Sequence, residues 1–405
     1  MTDDKWWRES APEVTWPLFE EFKVFLKFAW KHLNLPNPTP VQNDIADYLQ
    51  YGPRRGIIEA FRGVGKSWIA SAFVCWLLLR NPQLNILVVS ASKERADQFT
   101  TFTLRLIAEM EVLQHLYPET HQRNSKIAFD VAPAEPDHAP SVKSVGVLGQ
   151  MAGSRADIII PDDVEVPNNS DTQMMREKLS ERVKEFDAIL KPGGRIIYLG
   201  TPQTEESLYN ALPQRGYEVR IWPAQVPNPA ALANYGERLA PMIAKLATLA
   251  QFRKEWNEHG APTDPRRFHR EDLMEREASY GRSGYALQFM LDTQLSDADR
   301  YPLKLKDLIV RTNEDDQGPE KVMYADENRT RIADLTNVGF SADYWLAPFE
   351  YGRNQETGTI RMHPYQGCVI AVDPSGRGKD ETVWCALKML NSQLFLMEMG
   401  ASREG

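Results

Sequence analysis

Residues 59–73 read EAFRGVGKSWIASAF, and the run Gly63-Val64-Gly65-Lys66-Ser67 within them decides the fold. A G-x-x-x-x-G-K-[ST] loop between a strand and a helix cradles nucleotide phosphates on its backbone N–H groups and on the positive end of the helix dipole. Here Ala60 stands at the first glycine, followed by Phe61 and then by Arg62, a charge inside the loop. Alanine serves at that position provided its φ stays negative. The context is the required one, because Ile57 and Ile58 lead in as a strand and a helical pattern starts at Lys66. Residues Ala60 to Ser67 are therefore read as a nucleotide site. Lys66 reaches the β- and γ-phosphates of ATP, and Ser67 holds Mg²⁺.

Such a site needs an acid at the end of a buried strand, and ADIIIPDDVE (156–165) supplies it. Asp162 is the expected Mg²⁺ partner and Asp163 the expected base that orients the attacking water, with Glu165 in reserve. Paired aspartates also cap strands and helices without any chemistry. Upstream, NPTPVQNDIADYL places Gln42 on a helix before the loop strand, where its amide can read adenine or simply lie at a surface. Downstream, YLGTPQ ends a strand at Thr201, whose hydroxyl can sense the γ-phosphate or merely sit in a turn.

Between Gly56 and Pro223 apolar runs at 56–60, 85–92, 156–163, 194–202 and 217–223 alternate with helical periodicity at 66–80, 92–111 and 172–190. Continuous apolar strands separated by helices predict a mostly parallel sheet covered on both faces. Residues 17–33 place Leu18, Phe22, Phe25, Ala29, Trp30 and Leu33 on one helical face, read as packing on its own domain. Helices and proline-rich turns follow from 224 to 300, then a polar stretch from 300 to 362. Strands resume at 368–373, 382–389 and 393–399. The expected division is 1–235 for the ATPase domain, 236–362 for a helical and irregular lid or linker, and 363–405 for the start of a second α/β domain.

The chain has 405 residues, 42% of them hydrophobic, and a net charge of -9, so any contact with nucleic acid must be local. Candidate basic clusters are Arg266-Arg267-Phe268-His269-Arg270 and the pair Lys93 and Arg95. Either can equally be a solvated face. Cys75, Cys368 and Cys385 form no C-x-x-C, which fits a reducing compartment. The acidic start MTDDKWWRES is no secretory leader, and the longest apolar run, Ile69 to Leu79, is about half of a membrane span. A soluble intracellular protein is expected.

In order, AFRGVGKS, VVSASKERADQF, GSRADIIIPDDVE, YLGTPQTE and VIAVDPSGRGKDET resemble the large terminase subunit of tailed bacteriophages, and within it that of short-tailed phages. The resemblance implies an additional-strand (ASCE) P-loop NTPase followed by an RNase H-like nuclease domain. It implies ATP-driven packaging of double-stranded DNA into a procapsid and cleavage of the concatemer. The implied partners are the DNA, the portal, the small terminase subunit and further copies of the chain in a ring, a pentamer by resemblance. The implied setting is the host cytoplasm.

By the same resemblance Arg62 becomes a charge stabiliser at the γ-phosphate, Thr201 part of a coupling motif, and Arg155 a finger toward a neighbouring subunit's ATP. Asp373 matches the first nuclease carboxylate, with Asp380 beside it, at a site for two divalent ions (Mg²⁺ or Mn²⁺). The remaining family carboxylates fall beyond residue 405. These 405 residues are expected to lack nuclease activity, since one carboxylate does not hold two metals. The alternatives are a helicase-like translocase, which would show a second ATPase lobe, and an assembly subunit that binds ATP without turnover.

Overall fold

The computed structural model describes residues 16–151, 153–203, 206–253, 260–293, 313–324, 348–351, 356–374 and 381–402. Contacts divide the chain into two units, 1–300 and 301–405.

Seven strands build the first unit: β1 (Arg55–Ala60), β2 (Ile86–Ser90), β3 (Ala128–Phe129), β4 (Val142–Gly146), β5 (Ala156–Asp162), β6 (Leu190–Gly200) and β7 (Glu218–Trp222), in the spatial order β3-β4-β2-β5-β6-β1-β7. Every pairing is parallel except that of β3, two residues long at one edge. The strand before the phosphate loop and the strand that carries the acids are not neighbours. β6 lies between them, and this inserted strand defines the additional-strand P-loop class. The sequence reading covers five of these strands but not β3 or β4. In β4, VKSVG, a lysine and a serine interrupt the apolar run, so its signal is weak.

Alternation along each strand feeds two cores. Ile58, Ile160, Ile197 and Leu199 face one side, with helices α1 (Phe22–His32), α2 (Pro40–Tyr51), α3 (Lys66–Arg80) and α4 (Lys93–Glu109). Ile57, Ile159, Ile196 and Tyr198 face the other, under helix α5 (Gln173–Ile189) through Leu179, Val183 and Phe186. On α1, Phe22, Phe25, Leu26, Ala29 and Trp30 are buried, and Phe22 packs on Phe73 of α3 with ring centroids 5.0 Å apart. Each of Phe22, Phe25 and Leu26 contributes about 1.5–3 kcal/mol by leaving water. The helix is a wall of this domain.

The segment after β7 belongs to the same body, whereas the sequence reading places a domain break near 235. Ala240 N–H donates to Ile221 O at 2.9 Å, and Ala224 N–H to Phe289 O at 2.8 Å. Ile243, Phe268, Leu273, Tyr285 and Phe289, the last four from or beside helix α6 (Arg270–Tyr285), join the first core. A composition shift marks a change of secondary structure here, not the end of a core.

In the second unit β8 (Gln317–Pro319) pairs with β11 (Met362–Pro364), and β9 (Lys321–Tyr324) with β10 (Pro348–Tyr351). An antiparallel meander follows, β12 (Gly367–Asp373), β13 (Thr382–Leu390) and β14 (Gln393–Ser402). Asn391 and Ser392 join the last two with φ of 48° and 63°, the doubly left-handed tight turn that suits twisted hairpins. The three cysteines are free thiols.

Candidate active site

The loop after β1 emerges at the carboxyl edge of the parallel strands, where ligands bind in open α/β sheets. Gly63 and Gly65 take φ of 93° and 92°, values that other residues rarely adopt, while Ala60 is still in the strand and avoids positive φ. Alanine therefore replaces the first glycine without strain. Gly65 caps α3, so the unpaired N–H groups of its first turn are available to an anion.

Lys66 is 8% exposed, and its Nζ donates to Ala60 O at 2.6 Å and to Thr201 Oγ1 at 3.3 Å. Burial pulls its ammonium below the ordinary lysine range, while the charges of Asp163 and Asp162 work the other way. Ser67 Oγ donates to Asp162 Oδ1 at 3.1 Å. Asp162 is fixed from behind as well, since Ser90 Oγ donates to its carbonyl at 2.6 Å. Burial, then the neighbouring Asp163 carboxylate, push the Asp162 carboxyl up to about 7. Asp163 is half-buried and bends the chain out of β5 at φ 44°, with its N–H on Leu199 O at 2.8 Å. Aspartate is among the few residues that tolerate this left-handed conformation. The structure thus brings Lys66, Ser67, Asp162, Asp163 and Thr201 to one edge.

Glu165, read as a reserve base, has other partners. Its Oε1 accepts from Gln203 N–H at 3.0 Å, and its Oε2 from Ser207 Oγ at 2.9 Å and Leu208 N–H at 2.6 Å. The carboxylate is 1% exposed and ties the end of β5 to the segment following Thr201. Gln42, read as an adenine contact, is also 1% exposed. Its Oε1 accepts from Thr39 N–H at 3.1 Å, and its Nε2 donates to Val64 O at 2.9 Å. The amide closes a capping box on α2 and holds the back of the loop.

Arg62 is exposed at the rim. Its N–H donates to Gln288 O at 2.9 Å, and its Nη1 to Gln288 Oε1 at 3.4 Å. Arg267, read as part of a DNA-contacting cluster, lies against the loop instead and donates from Nη2 to Gly63 O at 3.0 Å. Phe268 packs edge-on against Phe61 with centroids 5.3 Å apart. Neither Arg267, Phe268 nor Gln288 is recognisable in the sequence as a loop partner, because they follow it by about two hundred residues. Lys93 and Arg95 open α4, where Lys93 pairs with Asp97 one turn on. Arg155 lies at the opposite edge of the sheet. It precedes Ala156, the first residue of β5, and six residue steps of strand, about 20 Å, separate Ala156 from Asp162. Its Nη1 donates to Ser154 O at 3.0 Å.

A family model described as the N-terminal part of T4-like terminase large subunits matches residues 57–190, and one described as the ribonuclease H-like domain of the phage T7 terminase matches 372–405. The large terminase subunit of Enterobacteria phage T3 is 49% identical over 395 residues, which is 95% of this chain and 65% of the relative. The chain is thus similar to large terminase subunits along nearly its whole length. It spans 65% of that relative's length.

Among solved structures, the HK97 bacteriophage large terminase is similar at 10% identity and a TM-score of 0.38, over 93% of this chain and 67% of that one. The large terminase ATPase domain of Thermus phage P74-26 is similar at 14% identity and a TM-score of 0.34, over 65% of this chain and 96% of that one. At such values neither likeness bears on chemistry.

Asp373 ends β12, where its backbone pairs with Val383, and the side chain is exposed. Asp380 lies outside the described residues. Among the described residues no three His, Cys, Asp or Glu side chains come together as a metal site. None of the described helices is long and apolar enough to cross a membrane.

Proposed function

We propose that the first unit hydrolyses ATP and that the family protein uses this hydrolysis to drive double-stranded DNA through the portal into a procapsid. One observation carries the reading: Lys66, Ser67 and Asp162 meet at the carboxyl edge of a parallel sheet, with Ser67 Oγ and Asp162 Oδ1 3.1 Å apart. Two hard oxygen donors so placed fit Mg²⁺, which Ser67 and Asp162 would hold. The metal would neutralise charge on the β- and γ-phosphate oxygens.

The chain's own residues do the rest. The loop N–H groups and Lys66 hold the phosphates, and Gly63 and Gly65 let the backbone approach them. Asp163 projects from the left-handed turn after β5 and is the group proposed to orient the attacking water. Arg62 offers its guanidinium at the rim as charge builds on the γ-phosphate, a contribution worth about three orders of magnitude or more in related chemistry. Thr201 shares Lys66 with the phosphates, so loss of the γ-phosphate changes what Lys66 binds and is relayed to Gln203, Ser207 and Leu208, which Glu165 holds. Arg155, on the far edge, can serve only the ATP of another copy, which suits a ring seated on the portal. The strands 367–402, with Asp373 at the end of the first, would belong to a nuclease that cuts concatemers, working with the small subunit in the host cytoplasm.

The test is a packaging reaction with the full-length protein, procapsids, ATP and Mg²⁺, read as DNA protected from added nuclease. Lys66→Ala is expected to protect none. Protection at the wild-type level would overturn the proposal.

A further inference from the structure

The phosphate loop is held not only by the strand and helix that bracket it but also by a segment that follows the sheet. Asp264 accepts from Thr39 Oγ1 at 2.9 Å, next to Gln42. Its carbonyl accepts from the N–H groups of Arg267 and Phe268 at 3.1 and 3.0 Å, so residues 264–268 form one hydrogen-bonded turn. Phe268 is 7% exposed and lies so close to Gly63 that a Cβ there would meet its ring at 2.8 Å. The turn therefore presents Arg267 to the loop at a set height.

Arg267 spans the loop. Its Nη2 is on Gly63 O at 3.0 Å, and its Nη1 lies 3.8 Å from where a Cβ on Gly65 would stand. The two glycines it bridges are the left-handed residues that turn the loop's N–H groups toward an anion. Among the described residues no carboxylate forms an ion pair with Arg267. A guanidinium carries five N–H donors in a planar fork, and a single carbonyl uses one of them. A neutral donor would hold Gly63 O just as well. The positive charge also helps keep the buried Asp264 carboxyl ionised against the pull of burial, without an ion pair, and it stands against a loop built to receive negative charge.

We propose that Arg267 is a phosphate-binding residue of this site: with a nucleoside di- or triphosphate bound, its free guanidinium edge takes a phosphate oxygen while Nη2 stays on Gly63 O. The inference rests on the reading of the loop as a nucleotide site. It makes the 264–288 segment respond to the nucleotide, because the ligand adds a bond between that segment and the loop which is lost on release.

The experiment measures dissociation constants of fluorescent ADP and of a non-hydrolysable ATP analogue, with Mg²⁺, at low and high salt, for residues 1–405. Arg267→Gln keeps a neutral donor for Gly63 O, and Arg267→Lys keeps the charge. The Gln variant is expected to bind about tenfold more weakly with a flatter salt dependence, and the Lys variant within about threefold of wild type. Wild-type affinity in Arg267→Gln, or a loss in Arg267→Lys as large as in Arg267→Gln, would overturn the assignment. Lys66→Ala separates this from the underlying reading. If it binds nucleotide as tightly as wild type, the loop is not the nucleotide site and the proposal falls with it.

Discussion

Ser67 Oγ and Asp162 Oδ1 are in hydrogen-bond contact at 3.1 Å, although β6 separates the strands that lead to them. The contact holds a buried carboxyl that burial and Asp163 push up to about 7. Asp162→Asn keeps a partner for Ser67 and removes the buried charge. It is expected to melt at or above the wild-type temperature in Mg²⁺-free buffer at pH 8 while losing at least about a hundredfold in Mg²⁺-dependent turnover. Calorimetry with phosphate release checks both halves, and a variant that unfolds would contradict the first.

The bond from Lys66 Nζ to Thr201 Oγ1 links the loop to the end of β6. Thr201→Val removes the acceptor but leaves Lys66 on Ala60 O. A hydrogen bond to a charged group is worth about 1.5–3 kcal/mol, so kcat should fall roughly tenfold or more with KM little changed. Thr201→Ser should restore most of it.

Five of the seven strands of the large sheet, three principal helices and the loop were legible because their signals are local: β-branched runs, helical periodicity, and the glycine pattern of a phosphate loop; β3 and β4 lacked such runs. Asp162 and Asp163 were legible because a strand end is a local event. Arg267 and Gln288 were not, since nothing near either residue says which distant backbone it will meet. Gln42 shows a subtler limit. The sequence places it beside the loop, but only the capping box with Thr39 shows that its amide is already occupied by the protein.

The acids Asp163 and Glu165 are separable by experiment. Glu165 accepts three hydrogen bonds in a buried setting, so Glu165→Gln sets an NH₂ against donors and should lower stability by about 1–3 kcal/mol. Asp163→Asn should keep wild-type stability and lose turnover. Denaturant melts beside hydrolysis rates decide the matter, and the reverse pattern would move the base to Glu165.

Glu59 lies one residue before the loop, 1% exposed, with Oε1 lacking a hydrogen-bond partner among the described residues. It faces a cavity of about 250 Å³ shared with Asn234 and Arg238. Burial raises its carboxyl to about 7 from 4.5, with the Arg238 charge opposing. A raised acid favours the fold in its protonated form, so its contribution is complete below about 4.5 and is lost as the pH climbs through 7. Glu59→Gln should therefore be more stable than wild type at pH 8, by up to about 3 kcal/mol, with the advantage shrinking toward pH 5. A difference independent of pH would contradict this.

The central claim is that the loop after β1 turns over ATP. Its most direct test is steady-state ATP hydrolysis by residues 1–405 beside Lys66→Ala, with Mg²⁺, with and without double-stranded DNA, at protein concentrations high enough for copies to meet. The account predicts turnover that Lys66→Ala abolishes and that DNA stimulates. A wild-type rate no greater than that of Lys66→Ala at every concentration would contradict it.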